Sequence, residues 1–379
     1  MKTPDMPLIH LTGDARQRGL HYGKIAADLI GRNLQSWLGD LGGFSRRMGQ
    51  TSAVDTEGYL QEFYSSTQYL EAIEQWSPEL LEEIRGIAEG AGQPFLQVLG
   101  LQLMDEEWLF GLRRGLARPS SKCSAFGVHQ GTSKGTFAGQ NMDIPSWSDG
   151  RQVLLRVRTA ATDAYVFSIA GHIGLNGLNR HALGITCNTL AQLTYATDGL
   201  PVTFIVRSVL AKHSLDEAED FLRSIQHASG QNYILSSREG VRCFECCGSS
   251  VRRFTPKQTP ERVFHSNHPL VNRDTSELAP AVAHRLTNSQ ARYDSLVKQL
   301  GDGTVNLSQV KAALAAHDDP GNPVSRALTK ENRSNSIGFT AGASIYDYRQ
   351  PLRLHLASGP PCETEFKVFE FDDESAADC

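Results

Sequence analysis

The chain has 379 residues, 40% of them hydrophobic and 21% charged, with a formal net charge of −5 spread over interspersed acids and bases, which excludes a disordered chain and gives no basic face for nucleic acid or anionic lipid. No apolar run reaches the length of a membrane span, and the stretch Met1–Gly13 is too broken for a signal-peptide core. Seven cysteines, an odd number, predict free thiols in a reducing, cytoplasmic compartment rather than a disulfide framework.

Apolar residues recurring at helical steps (Leu20, Tyr22, Ile25, Ala26, Leu29, Ile30) predict an amphipathic helix over 14–41, ended by Gly42-Gly43. Further helices are expected over 54–72, 78–91 and 95–107, with Pro78 at a first helical position, where its missing N–H is not needed. The first 110 residues thus read as almost wholly helical. After Arg118-Pro119 the texture changes to short runs bounded by Gly, Ser or Asn, which predict strands over 124–129, 136–141, 152–158, 164–169, 182–188, 233–236, 241–246 and 263–266. Helices are expected over 201–213, 214–227 (Ser214 and Glu217 as a capping box) and 276–299. Strands return over 344–348, 353–357 and 365–371, and the acidic tail Asp372–Cys379 is expected to fray. Strands in hairpin order with helices gathered between them argue for an α+β fold, and two sheets between helix layers satisfy the pattern.

The chemistry turns on the cysteines, since a thiol needs only a nearby base to become a nucleophile. Cys243, Cys246 and Cys247 contain one CxxC spacing without a second pair, and on a strand Cys243 and Cys247 face away from Cys246, so they read as core thiols, as do Cys187 and Cys362. No HxxxH and no paired CxxC supports a metal site. Cys123 differs: it follows Pro119-Ser120-Ser121-Lys122, expected to be extended and accessible, and opens a strand. Cleavage of the Lys122–Cys123 peptide would free an α-amino group with a pKa near ~8, a base for the thiol of the same residue.

Cys123-Ser124-Ala125, Gly139 to Asp143, Gly171 to Asn179 running into Leu183 to Leu190, Ser266-Asn267-His268 and the closing Ser344 to Asp347 together resemble the acyl-coenzyme A:6-aminopenicillanic acid acyltransferase family. The resemblance spans nearly the whole chain, from Arg18-Gly19 and Tyr22-Gly23 to Ser358 through Glu363. It implies an N-terminal-nucleophile hydrolase fold, a four-layer αββα sandwich shared with bile salt hydrolases and penicillin V acylases. It also implies self-cleavage before Cys123, leaving residues 1–122 as a bound helical pro-segment and small subunit, and residues 123–379 as the catalytic domain. The implied activity is amide hydrolysis or N-acyl transfer on small N-acyl amides, without a cofactor and with acyl-coenzyme A as a co-substrate for transfer.

Carried over residue by residue, Asp143 matches the aspartate that holds the freed amine, against a plainer reading as a turn residue before Ile144-Pro145. Asn267 matches the asparagine whose amide donates to the oxyanion, and Asn188 a second asparagine near the site. Arg333 is a candidate for the arginine that lowers the thiol pKa, against a solvent-exposed loop arginine; Ser336 and Ser344 receive no step. Two departures stand out. Lys122 replaces a glycine before the nucleophile, which is expected to slow or redirect self-cleavage, and Gln140 stands where bile salt hydrolases carry an arginine. The competing readings are a conventional Cys–His thiol hydrolase drawing on His129, His172 or His268, and an unprocessed binding protein with an inert thiol.

Overall fold

The computed structural model describes residues 6–47, 55–116, 122–330, 333 and 338–371. The linker before Lys122 (117–121), Ser336 and the acidic tail lie outside them. The lead-in begins with a strand that its sequence did not announce, β1 (Leu8–Leu11), where alternate residues Ile9 and Leu11 are buried. Among the described residues seven helices follow: α1 (Ala15–Ile25), α2 (Ala27–Arg47), α3 (Thr56–Ser65), α4 (Tyr69–Trp76), α5 (Pro78–Ala91), α6 (Phe95–Gln102) and α7 (Met104–Arg113).

Asp14 and Gln17 close a reciprocal capping box on α1, and Pro78 starts α5 as expected. The single helix expected over 14–41 breaks at Ala26, and α2 runs through Gly42-Gly43 to Arg47. Helices α1 and α5 cross with backbones in contact at Gly19, Gly23, Gly86 and Gly90, where a Cβ would overlap the facing backbone atoms of Glu83, Ile87, Leu20 and Arg16.

From residue 122 the elements are β2 (Lys122–His129), a single turn α8 (Gly131–Lys134), β3 (Thr136–Pro145), β4 (Gln152–Arg158), β5 (Asp163–Ile169), β6 (Asn176–Asn179) and β7 (Gly184–Thr189). Then come α9 (Val202–Val209), α10 (Leu215–Ser224), β8 (Gln231–Ser236), β9 (Val241–Cys246), β10 (Val251–Phe254) and β11 (Arg262–His265). The chain closes with α11 (Ala279–Val282), α12 (Leu286–Leu300), α13 (Leu307–Leu314), β12 (Gly338–Asp347), β13 (Arg353–Ala357) and β14 (Lys367–Glu370). Strands β6 and β10 and helix α13 escaped the sequence reading: β6 is an Asn-Gly-Leu-Asn run that looks like a turn, and β10 is an exposed edge carrying two arginines.

Two sheets result, ordered β1-β4-β5-β6-β7-β8-β9-β10 and β11-β2-β3-β12-β13-β14. Every ladder is antiparallel except β1 on β4. The sheets lie face to face, β2 against β7, β8 and β9, with α9 and α10 covering the first sheet and α12 and α13 the second. This is the α+β, four-layer αββα arrangement. Gln140 ties the layers: its Nε2 donates to the Cys187 carbonyl, and its Oε1 accepts from Cys187 N at 3.2 Å and Asn176 Nδ2 at 3.3 Å. Its neutral amide is thus an inter-sheet clasp.

The lead-in shares one core with the first sheet, Tyr22, Ile30, Ile84 and Leu101 packing in the same cluster as Leu154, Val166 and Phe167. Buried Glu83 on α5 binds Arg18 of α1 at 2.9 Å and Arg207 of α9 at 2.8 Å, so its lowered pKa reflects two guanidinium partners that overcome burial.

Candidate active site

Cys123 is the second residue of β2, an inner strand of its sheet, and pairs across to Met142 while Lys122 pairs to Asp143. On its other side β11 pairs with β2 only from Ala125 onward, so the ladder holds Cys123 from β3 alone. The buried thiol lies 3.5 Å from Met142 Sδ and lines a small cavity of about 30 Å³ with Gln102, Asp105, Leu175, Cys187, Thr189 and Val202 among its walls. Burial, then the nearby Asp143 carboxylate, push its pKa up to about 12, so the thiol is protonated near neutral pH.

The Cys123 backbone N–H donates to Asn267 Oδ1 at 2.8 Å. Asn267 sits just past β11, which pairs with β2, and its own N–H donates to Ser289 Oγ of α12 at 2.7 Å. The expected oxyanion donor therefore turns its acceptor end to Cys123, and its Nδ2 donates to the Thr189 carbonyl at 3.1 Å. The reason is Arg292. This fully buried guanidinium on α12 donates to Asn267 Oδ1 at 2.9 Å, to the Cys123 carbonyl at 2.5 Å and to Ser124 Oγ at 2.9 Å, which fixes the asparagine's orientation.

Asp143 accepts from Thr340 Oγ1 of β12 at 2.6 Å. Burial raises its pKa to about 6, against the pull of Thr340 and of the Arg292, Arg326 and Lys122 charges. Lys122 is half-buried, and burial together with Arg326 and Arg292 lowers its pKa to about 8. The Lys122–Cys123 junction is thus a cationic neighbourhood around one buried acid.

A family model described as acyl-coenzyme A:6-aminopenicillanic acid acyl-transferase matches residues 131–355, more than half of the chain. The chain belongs to this family. The match takes in Asp143, Asn188, Asn267 and Arg292 but begins eight residues beyond Cys123. Among solved structures, a variant conjugated bile acid hydrolase from Clostridium perfringens aligns over 66% of this chain and 97% of its own, at 13% identity and a TM-score of 0.43. Penicillin V acylase from Agrobacterium tumefaciens aligns over 66% and 86%, at 14% identity and 0.42. Likeness at that level says nothing of activity. Family membership makes the protein an amide hydrolase or acyltransferase.

The structure brings Lys122, Cys123, Asp143 and Asn267 of this family member together; it does not bring Asn188 or Arg333 to the thiol. Asn188 pairs within the first sheet, its Oδ1 accepting from Asn232 Nδ2 at 3.0 Å, and it lines neither cavity beside Cys123. Arg333 pairs with Asp149 at 2.8 Å with its side chain 58% exposed, which is the loop arginine of the plainer reading. The buried arginine beside Cys123 is Arg292, which bonds the Cys123 carbonyl. Its signal was legible: it occupies the buried stripe of α12 with Ser289, Leu296 and Leu300, where a charge must have a partner.

The histidines do not serve the thiol. His129 Nδ1 is bound to Thr136 Oγ1 at 2.8 Å, at the far end of β2. His172 is bound to Thr203 Oγ1 at 3.0 Å and His268 to Ser289 Oγ at 2.8 Å, and burial lowers their pKa values to about 3 and about 4. On the other side of Lys122 a recess of about 20 Å³ is lined by Trp108, Lys122, Asn267, Arg285 and Arg292. Gln102, Asp105 and Trp108 show that the lead-in helices supply part of both cavity walls. Among the described residues no helix is long and apolar enough to cross a membrane.

Proposed function

We propose that the chain is a self-processing N-terminal-cysteine amidohydrolase or N-acyltransferase acting on small N-acyl amides. The observation that carries this reading is the grip on Cys123: its backbone nitrogen is held by Asn267 and its carbonyl by Arg292, while the thiol faces a cavity with no histidine at hydrogen-bond distance among the described residues. Such a site has a positioned nucleophile and no base hydrogen-bonded to its thiol among the described residues, a role that the freed amine would fill.

The Cys123 thiol attacks the Lys122 carbonyl, the C–N bond breaks, and the resulting thioester is opened by water to leave residues 1–122 and a free Cys123 α-amine. The amine, with an ordinary pKa near ~8, then takes the thiol proton. Asp143 orients the amine, since a carboxylate beside an ammonium favours its charged form and does not make it more basic. The thiolate attacks the amide or thioester substrate; Asn267 turns its Nδ2 from the Thr189 carbonyl to the oxyanion, and water or an amine accepts the acyl group.

Intact mass tests the reading. Processing gives fragments of 122/379 of 41.6 kDa, roughly 13 kDa, and a remainder of about 28 kDa, whereas Cys123→Ala stays whole. A wild-type chain that hydrolyses N-acyl amides while remaining uncut would overturn it.

A further inference from the structure

Helix α7 of the lead-in places Asp105 in the wall of the cavity that holds the Cys123 thiol. Its Oδ2 accepts from Thr189 Oγ1 and from Gln231 Nε2, each at 2.7 Å, while Oδ1 accepts no hydrogen bond among the described residues. The carboxyl has no cationic partner among the described residues: burial drives its pKa up, and only Thr189 and Gln231 oppose that. The one base sharing the cavity, His172, is held neutral by burial. Glu83 is paired with two arginines and Glu245 with His265 and three backbone N–H groups. Glu106, which also lacks a cation among the described residues, accepts from Ser229 Oγ and the Val202 N–H and does not line the cavity, so Asp105 is the unpaired carboxylate that the cavity wall presents. An unpaired one beside a nucleophile is a place for a cation that arrives with a ligand. The cavity, at about 30 Å³, has room for a group the size of water or ammonium.

We propose that Asp105, presented by the lead-in segment, holds the acceptor amine in acyl transfer. Its free oxygen binds the ammonium of an incoming primary amine beside the Cys123 acyl-enzyme and takes one proton from it. The nitrogen forms the new C–N bond as the C–S bond to Cys123 breaks. The proton that nitrogen sheds on becoming an amide passes to the departing thiolate, and Asp105 returns its own proton to solvent. Donor and amine are the only reactants. This assignment rests on the acyl-enzyme proposed above and deepens it, because it makes transfer to amines a built feature of the site and the retained lead-in a part of the chemistry.

The test is the partition of one acyl-enzyme between water and amine. Processed protein is supplied with a short acyl thioester and increasing ethanolamine, and the ratio of amide to free acid is measured; this ratio does not depend on how much of the enzyme is active. Wild type is expected to saturate with ethanolamine and not with ethylene glycol, a neutral molecule of similar size. Asp105→Asn is expected to lower the amide-to-acid ratio by about tenfold or more, as for loss of a hydrogen bond to a charged group. A ratio unchanged in Asp105→Asn, or transfer that rises linearly with either nucleophile, would overturn the assignment. If the variant does not fold, the ethanolamine and ethylene glycol comparison on wild type decides alone. If the processed protein forms no acyl-enzyme from any donor, the proposed function itself fails and takes this assignment with it.

Discussion

Asp143→Asn should make the uncut protein more stable while abolishing its chemistry. The Asp143 carboxyl is buried, and burial lifts its pKa from 3.8 to about 6. A carboxyl whose folded pKa lies above its unfolded one stabilises the fold only while protonated. Relative to a neutral isostere, the wild type pays nothing below pH 3.8 and loses stability as pH rises through about 6. At ~1.36 kcal/mol per pKa unit the loss above that pH is about 3 kcal/mol. The asparagine Oδ1 can still accept from Thr340 Oγ1, so the substitution removes charge and keeps the hydrogen bond. The assay is urea unfolding of Cys123→Ala and of Cys123→Ala with Asp143→Asn between pH 4 and 8, a background in which neither chain cuts itself. The two curves should coincide near pH 4 and separate by about 2–3 kcal/mol at pH 7.5 in favour of asparagine. In the Cys123 chain the same substitution should leave the freed amine unheld and activity lost. An asparagine advantage that does not grow with pH, or a net loss of stability at pH 7.5, would refute the reasoning.

Three further outcomes follow from the same packing. Arg292→Met removes donors to Asn267 Oδ1, the Cys123 carbonyl and Ser124 Oγ, and should cost about 2–4 kcal/mol in unfolding experiments and block self-cleavage by intact mass. Lys122→Met removes a cation disfavoured by burial and by Arg326 and Arg292; a lysine with a lowered folded pKa costs stability increasingly as pH falls from 10.5 to about 8. At pH 7 the uncut Cys123→Ala chain should therefore gain about 1–2 kcal/mol, discounted for the side chain's partial exposure. Gly86→Ala, which in an open helix would stabilise by about 1 kcal/mol, should instead destabilise by about 2–3 kcal/mol in thermal or urea unfolding, because the methyl meets the backbone of α1.

Much of the fold was legible because burial and period agree. Strands β4 and β9 and helix α5 run over the residues their patterns predict, and Pro78 fixes one helix start. The lead-in misled where a partner far along the chain decides structure: Leu8–Leu11 is a strand only because β4 offers it an edge. At the site, Cys123, Asp143 and Asn267 were readable from motifs, and the structure sets them on neighbouring strands and the loop after β11. For Arg333 the plainer of the two readings holds, since its side chain leads outward to Asp149. Arg292 was missed although the apolar stripe of α12 puts it on the buried face, and Asp105 was missed because it looks like an ordinary helix charge until the opposite wall is known.

The ion pair between Glu83 and Arg207 joins residues on opposite sides of the Lys122–Cys123 bond, and so does the pairing of β1 with β4. Cutting that bond would change connectivity and leave these contacts in place, but it would make folding history matter. Before the cut, one chain folds by itself at any dilution; afterwards, two fragments must find each other, each with half of a buried charge pair exposed. The mature enzyme would then be a product of its own single-chain past, with refolding after denaturation dependent on concentration where that of the uncut Cys123→Ala chain is not.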